Sequence, residues 1–224
     1  MQFVTVFKSF QMKGENMTKV DLKEFSTETR KRIALETTST EVLEKLAEDE
    51  FSSVLCAVAG NESAPSEVLV KLAKEQYDTS VIYAVAKNAN TPAKILEELA
   101  RNNSRRVRKV VAENINTPSE ALVKLASDKY MYVRLAVAKN INAPNEVLTK
   151  LADDKKCWNI RQAVAKNINT PSEVLIKLAA DEEIKVRYAV LENISSSKEV
   201  LTKLKEDESF YIRIKVEERI QHNE

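Results

Sequence analysis

The hydrophobic positions of this chain return at a fixed interval. A Leu-x-x-Leu phrase recurs every 26 or 27 residues, and its first leucine is Leu43, Leu69, Leu96, Leu122, Leu148, Leu175 or Leu201. Within one copy, Val68, Leu69, Leu72 and Ala73 fall on one face of a short helix, here called helix A. Self-similarity at such a period is the signature of a stacked repeat array. The pattern therefore predicts a solenoid.

A second helix is predicted some eight to ten residues further along each copy, in the phrase V-R-x-A-V-A-x-N. Clear copies span residues 133–140, 160–167 and 186–193. Valine and alanine at i, i+3 and i+4 give this helix B a buried stripe. Together the two helices predict an all-α solenoid of about seven two-helix repeats over residues 26–224. Residues 1–25 are predicted to form an N-terminal leader or cap.

The polar residues between the helices are predicted to act as caps. Thr117 is expected to be an N-cap, with Pro118 at the first helical position and Glu120 completing a capping box. Asparagines that close the B helices suit a left-handed C-cap in a chain so poor in glycine. They are Asn61, Asn88, Asn114, Asn140, Asn167 and Asn193. The second asparagine of each turn, such as Asn142, is expected to hold the same connection.

An arginine recurs in most B helices, and two interpretations of it compete. The row consists of Arg108, Arg134, Arg161, Arg187 and Arg213. It suits a ligand-binding ladder. However, an acid stands six or seven residues before most of these arginines, at Asp128, Asp154, Asp181 and Asp207. Ion pairs within a repeat or to the next one would fix the stacking of repeats, and this structural interpretation is favoured.

Composition excludes most catalytic chemistry. The chain has two glycines, Gly14 and Gly60, and one histidine, His222, so phosphate-cradling loops, histidine triads and zinc motifs lack their parts. No cofactor, metal or catalytic residue is predicted. Cys56 and Cys157 stand in different repeats and are expected to be ordinary thiols of a reduced, cytoplasmic protein. No run of 18 apolar residues predicts a membrane span.

Charge and aromatic residues are distributed unevenly. Residues 36–100 carry 5 basic and 12 acidic side chains, whereas residues 101–166 carry 14 basic and 6 acidic ones. Aromatic side chains concentrate in the A–B turns and the start of helix B. A recognition ridge and a cover for the repeat core explain them equally well. The candidate binding surface is Arg105, Arg106, Lys129, Tyr130, Tyr132, Lys155, Lys156, Trp158, Tyr188 and Tyr211.

The consecutive phrases N-x-N-T-P-x-E-V-L-x-x-L-A and V-R-x-A-V-A resemble the leucine-rich repeat variant family over roughly residues 26–220. The resemblance implies a right-handed α–α superhelix of short helices without strands, similar in architecture to HEAT repeats. Founding members of the family carry an N-terminal cysteine-rich iron–sulfur segment. This chain has no cysteine before Cys56, so the cluster is not carried over.

Three functions remain open from the sequence. The first is a non-catalytic, monomeric module that binds another macromolecule, with a protein as the expected partner. The second is nucleic-acid binding, in which the basic segment 101–166 would contact the phosphate backbone. The third is an enzyme similar to helical-repeat DNA glycosylases, for which Asp154, Trp158 and Arg161 are the nearest candidates. The sequence favours the first.

Overall fold

The structure, a computed structural model, describes residues 21–74 and 78–221, and over these ranges it contains helices and no strands. A short 3-10 helix, Leu22–Glu24, precedes a regular alternation of A and B helices, in which the even-numbered α-helices are A and the odd-numbered ones are B. The helices are α1 (Thr27–Glu36), α2 (Thr40–Leu46), α3 (Ser52–Gly60), α4 (Ser66–Lys74), α5 (Thr79–Lys87), α6 (Ala93–Leu99), α7 (Arg105–Glu113), α8 (Ser119–Leu125), α9 (Met131–Lys139), α10 (Asn145–Leu151), α11 (Trp158–Lys166), α12 (Ser172–Leu178), α13 (Ile184–Glu192), α14 (Lys198–Leu204) and α15 (Phe210–Gln221).

Two compact units make up the chain, Met1–Ile95 and Leu96–Glu224, here called the N-terminal unit and the C-terminal unit. In each unit consecutive B helices pack side by side, and each A helix packs on the B helices next to it in the chain. The predicted all-α architecture of two-helix repeats is confirmed. Most of the predicted leader (residues 1–25) and His222 lie outside the described residues.

The periodic hydrophobic residues form the core, as the pattern predicts. In the fourth and fifth copies Leu122, Leu125, Leu148 and Leu151 are at most 2% exposed. Burying a leucine side chain stabilises the fold by about 1.5–3 kcal/mol, so each copy contributes several kcal/mol through its leucines alone. On the B helices the small side chain of Ala138 is fully buried. Its size lets neighbouring B helices approach closely.

The predicted threonine caps are wrong by one residue. Helix α8 begins at Ser119, and Pro118 occupies the N-cap in an extended conformation with no side-chain capping bond. The hydroxyl of Thr117 instead donates to the carbonyl of Val111, near the end of the preceding B helix. Thr117 is buried, so its hydroxyl is satisfied within the protein by one of the carbonyls that a helix end leaves free. Glu120 does stand in the first turn, where the helix dipole favours an acid.

The asparagines that close the B helices do not adopt the predicted left-handed conformation. Asn167 has φ −72° and ψ 125°, which is extended backbone. Its side-chain amide donates to the carbonyls of Ala138 (3.0 Å) and Asn140 (2.9 Å) in the preceding repeat, and its Oδ1 accepts the N–H of Asn169 (3.0 Å). Asn61, Asn88, Asn140 and Asn193 make the same bonds to the repeat before them. Their structural role is therefore larger than that of a cap, because they join consecutive repeats.

Arg219 closes this asparagine row in the last repeat. Counted from the valine of the V-R phrase, it stands where the other B helices have asparagine. Its guanidinium donates to the carbonyls of Leu191 and Asn193, the positions that an asparagine would reach. Burial lowers the pKa of Arg219. The last repeat thus keeps the connection with a different side chain.

Candidate functional site

The arginines of the V-R phrase form a structural ladder, which confirms the favoured interpretation. Arg161 binds the carboxylate of Asp181 in the next repeat through Nε (2.7 Å) and Nη2 (2.9 Å). Its Nη1 donates to the backbone carbonyl of Asp154 in its own repeat (2.9 Å). Each arginine therefore holds two A–B turns in register. Equivalent pairs are Arg108–Asp128, Arg134–Asp154 and Arg187–Asp207 in the C-terminal unit and Arg30–Asp49 in the N-terminal unit.

The ladder is half-buried and electrostatically satisfied. The side chains of Arg187 and Asp207 are 7% and 2% exposed. The hydrogen bond to Asp181 raises the pKa of Arg161, against the opposing effect of burial. These guanidinium groups already bind protein carboxylates, so they do not form a row open to a ligand. The pair at Arg30 was missed in the sequence, where Thr29 replaces the valine that marks the other arginines.

Tyr130 covers the ladder and is not part of an open ridge. The Cζ atoms of Arg105 and Arg108 lie 5.1 and 5.7 Å from its ring centroid, and Lys129 Nζ lies 5.2 Å away. Cations at these distances are attracted to the ring face. Three residues of the predicted surface, Arg105, Lys129 and Tyr130, are thus brought together in one cluster. For Tyr130 the core-covering interpretation holds.

Other predicted aromatic residues lie on the outward face of the B helices. Tyr132 on α9 is 61% exposed and Tyr211 on α15 is 53% exposed. Tyr188 and Tyr211 contact each other with ring centroids 5.7 Å apart. The hydrogen bond with Tyr211, together with that to Glu192 and burial, raises the pKa of Tyr188 to about 12. Trp158 is half-buried beneath Lys185, whose Nζ lies 4.6 Å from its ring centroid.

The three remaining basic residues of the predicted surface are exposed. Arg106 lies in the first turn of α7, and Lys155 and Lys156 lie in the turn before α11. The backbone N–H of Lys156 donates to Asp154 Oδ1 (3.1 Å), so the turn itself is held by the ladder. The structure therefore divides the predicted surface between the A–B turns and the outward face of the B helices.

A groove between α9 and α11 was not foreseen. It has a volume of about 310 Å³. Its lining residues are Leu135, Lys139, Asn159, Gln162, Ala163, Lys166 and Asn167. Lys139 and Lys166 are exposed and form no ion pair with any residue that the structure describes. We call Tyr132 and these lining residues the B face. Its signal in the sequence was the variable positions of V-R-x-A-V-A-x-N, which point away from the buried stripe.

The remaining chemistry of the described residues is sparse. In residues 21–74 and 78–221 there is no group of three or more histidine, cysteine or acidic residues arranged to hold a metal ion. Over the same ranges no helix has the length and apolar character needed to span a bilayer. Cys56 and Cys157 are both free thiols. Asp154, the candidate catalytic acid, accepts Arg134 Nε at 2.8 Å, and Arg161 binds Asp181 instead.

Comparisons with known proteins agree with this architecture. No protein-family profile matches the chain, and no curated protein has a matching sequence. Among solved structures, a leucine-rich repeat variant with a novel repetitive motif is similar over 88% of this chain and 78% of its own, with 27% identity and a TM-score of 0.62. A designed armadillo repeat protein in complex with a (KR)4 peptide aligns over 87% of this chain and 90% of its own, with 16% identity and a TM-score of 0.30.

The second likeness is too distant to bear on function, whereas the first covers most of the repeats described above. The N-x-N-T-P and V-R-x-A-V-A phrases that suggested the resemblance are the asparagine row and the arginine ladder of the structure. The predicted resemblance is therefore confirmed, and this chain is a helical-repeat protein similar to the leucine-rich repeat variants.

Proposed function

We propose that the C-terminal unit is a non-catalytic binding module that holds a protein partner on its B face. The observation that carries the proposal is the exposure of Tyr132 beside a groove with two unpaired lysines. Tyrosine supplies a large amphipathic contact area with few rotatable bonds, and it is enriched where binding energy concentrates. No packing role within the chain accounts for its position.

The B face is rigid, which favours binding. Asn140 and Asn167 tie each B helix to the preceding repeat, and the ladder pairs Arg134–Asp154 and Arg161–Asp181 hold the other ends. A preorganised surface loses little conformational entropy when a partner binds, so more of the contact energy appears as affinity. The engagement of Asp154 in this framework also supports the non-catalytic part of the proposal.

The charge of the groove indicates the chemistry of the partner. Lys139 and Lys166 place two positive charges at the groove, among the amides of Asn159 and Gln162. A segment with carboxylates and an apolar residue would satisfy both the lysines and Leu135. Complementary charge of this kind raises the association rate and weakens with added salt.

The test compares the B face with the A-helix face of the same repeats. A photo-crosslinking residue at Tyr132 should capture a partner protein from native cell extract, whereas the same residue at Thr149 on α10 should not. Lys139→Glu with Lys166→Glu should weaken binding of the captured protein about tenfold or more. Lys150→Glu, on α10, makes the same charge change elsewhere and should leave affinity unchanged. Equal losses in both variants would refute the assignment of the surface.

Nucleic-acid binding is the second candidate, favoured by the exposed residues Arg106, Lys155 and Lys156. Against it, six of the fourteen basic residues in the segment 101–166 are paired with acids within the protein. They are Arg101, Arg108, Lys109, Lys124, Arg134 and Arg161. Reversing Arg105, Arg106, Lys155 and Lys156 should abolish binding of a DNA or RNA probe, and wild-type binding should fall steeply with salt. Failure of duplex and single-stranded probes at low salt would eliminate this candidate.

A further inference from the structure

A row of exposed isoleucines follows the B–A turns of the C-terminal unit. Ile115, Ile141, Ile168 and Ile194 are 58%, 46%, 45% and 79% exposed. Each stands between two polar residues of the turn, one per repeat, at intervals of 26 or 27 residues. A single exposed aliphatic residue needs no explanation, but an aligned row of four forms a continuous apolar edge. We call it the isoleucine edge.

The fold does not require isoleucine at this position. The equivalent residues of the N-terminal unit are Glu62 and Ala89, in turns of the same kind. What holds each turn is the backbone: the carbonyls of Ile115 and Ile141 accept the side-chain amides of Asn142 and Asn169. The hydrocarbon side chains are left outside these bonds. Their exposure is therefore a property of this surface and not a consequence of capping.

Acidic residues accompany the edge. Glu120, Glu146, Glu173 and Glu199 follow the isoleucines by five residues, in the first turns of the A helices that the turns enter. All four are exposed and none forms an ion pair with a residue that the structure describes. In the last repeat Lys198 adjoins Glu199. The edge is thus apolar with an unneutralised acidic border.

The repeat spacing selects the shape of a partner. Packed helices lie about 8–10 Å apart, so consecutive isoleucines are separated by roughly that distance. Seven residues of an α-helix rise about 10.5 Å and return to the same face. Three residues of a β-strand cover about 10 Å but end on the opposite face. A helix laid along the edge therefore meets successive isoleucines with one side, whereas a strand does not.

A recess between neighbouring turns can receive such side chains. It has a volume of about 560 Å³ and includes Ile115, Pro118, Ile141 and Asn145 in its lining. We propose that the isoleucine edge is a docking site for a basic amphipathic helix of a partner protein, with apolar residues seven positions apart and lysine or arginine beside them. The helix contacts the isoleucines with its apolar stripe, and its cations face the glutamates.

A selection experiment tests the edge without assuming a partner. A display library of 28-residue helical peptides, randomised on one face, is selected on the full chain and counter-selected on Ile141→Ser with Ile168→Ser. We expect the enriched peptides to carry apolar residues at a seven-residue spacing and a net positive charge. Enrichment of acidic peptides, of other spacings, or of nothing beyond the counter-selected pool would overturn the proposal.

The affinity of one enriched peptide is then measured by fluorescence anisotropy. The double isoleucine variant should bind it about tenfold or more weakly, because two apolar contacts are lost. Glu146→Lys with Glu173→Lys should also weaken binding, and this loss should shrink in high salt. The B-face variant Lys139→Glu should bind the peptide as the wild type does. Its failure to do so would place the peptide on the B face and contradict the proposal, while leaving the proposed function testable by itself.

Discussion

Replacing Asn167 by alanine is the sharpest test of how the repeats are joined. The asparagine side chain is buried and makes three hydrogen bonds: two from its amide to the carbonyls of Ala138 and Asn140, and one to its Oδ1 from the Asn169 N–H. Alanine removes all three and supplies no replacement. The loss falls at the connection between two consecutive repeats.

The expected cost follows from this count. A protein hydrogen bond contributes about 1 kcal/mol net, and a buried group left unpaired costs about 1–3 kcal/mol. Three lost bonds therefore predict a loss of about 3 kcal/mol in the free energy of unfolding of Asn167→Ala. Asn167→Asp keeps the acceptor for the Asn169 N–H but turns a carboxylate toward two carbonyls, so we expect at least the same loss at neutral pH.

Asn169→Ala is the matched control, two residues away in the same turn. The side chain of Asn169 is exposed and donates one bond, to the carbonyl of Ile141, which water can replace. We expect a loss of at most about 1 kcal/mol. Urea unfolding followed by circular dichroism gives both values, and a broadened transition in Asn167→Ala would reflect weakened coupling between repeats. Equal losses in the two variants, or a loss below about 1 kcal/mol for Asn167→Ala, would refute the reasoning.

Three further predictions concern charges and the chain end. Burial opposes ionisation of Asp128, but hydrogen bonds and charge, led by Arg108, outweigh it and hold the pKa of Asp128 below its ordinary value of 3.8. Its contribution to stability is therefore present above that value and lost as pH falls through the folded pKa, so Asp128→Asn should flatten the acid limb of a stability–pH curve. Tyr188, with its pKa raised to about 12, should titrate late in ultraviolet absorbance, and Tyr211→Phe should bring it back toward 10; the stability it contributes is present below pH 10 and lost as pH rises through 12. Arg219→Met should cost about 1–3 kcal/mol in urea unfolding, because two carbonyls of the preceding repeat lose their donor.

Much of the candidate site was visible in the sequence only as composition. Tyr132 and Tyr211 were predicted to be exposed contacts and are exposed, but Tyr130, in the same turn, covers the ladder. Nothing local separates these tyrosines. Which ring meets a guanidinium depends on the neighbouring repeat, whose Arg108 stands 22 positions earlier in the chain.

The same reason explains the residues that were overlooked. Lys139 and Lys166 line one groove because α9 and α11 pack side by side, although 27 residues separate them. The isoleucines of the edge looked like ordinary hydrophobic residues, and only their exposure in four consecutive turns distinguishes them from core. A pattern of residue types does not report which side of a turn faces water.

The amino-acid sequence was sufficient for the helices, the repeat period, the leucine core and the existence of an arginine ladder, since each depends on spacings of three to seven residues within one repeat. The stacked structure was needed to assign the partner of each polar group. Arg161 reaches the carboxylate 20 residues ahead, Thr117 turns back to the helix before it, and Asn167 lies in extended backbone to reach carbonyls 27 and 29 residues earlier. Hydrogen bonds require atoms within about 3 Å, and that proximity arises between repeats, after their leucines have already packed.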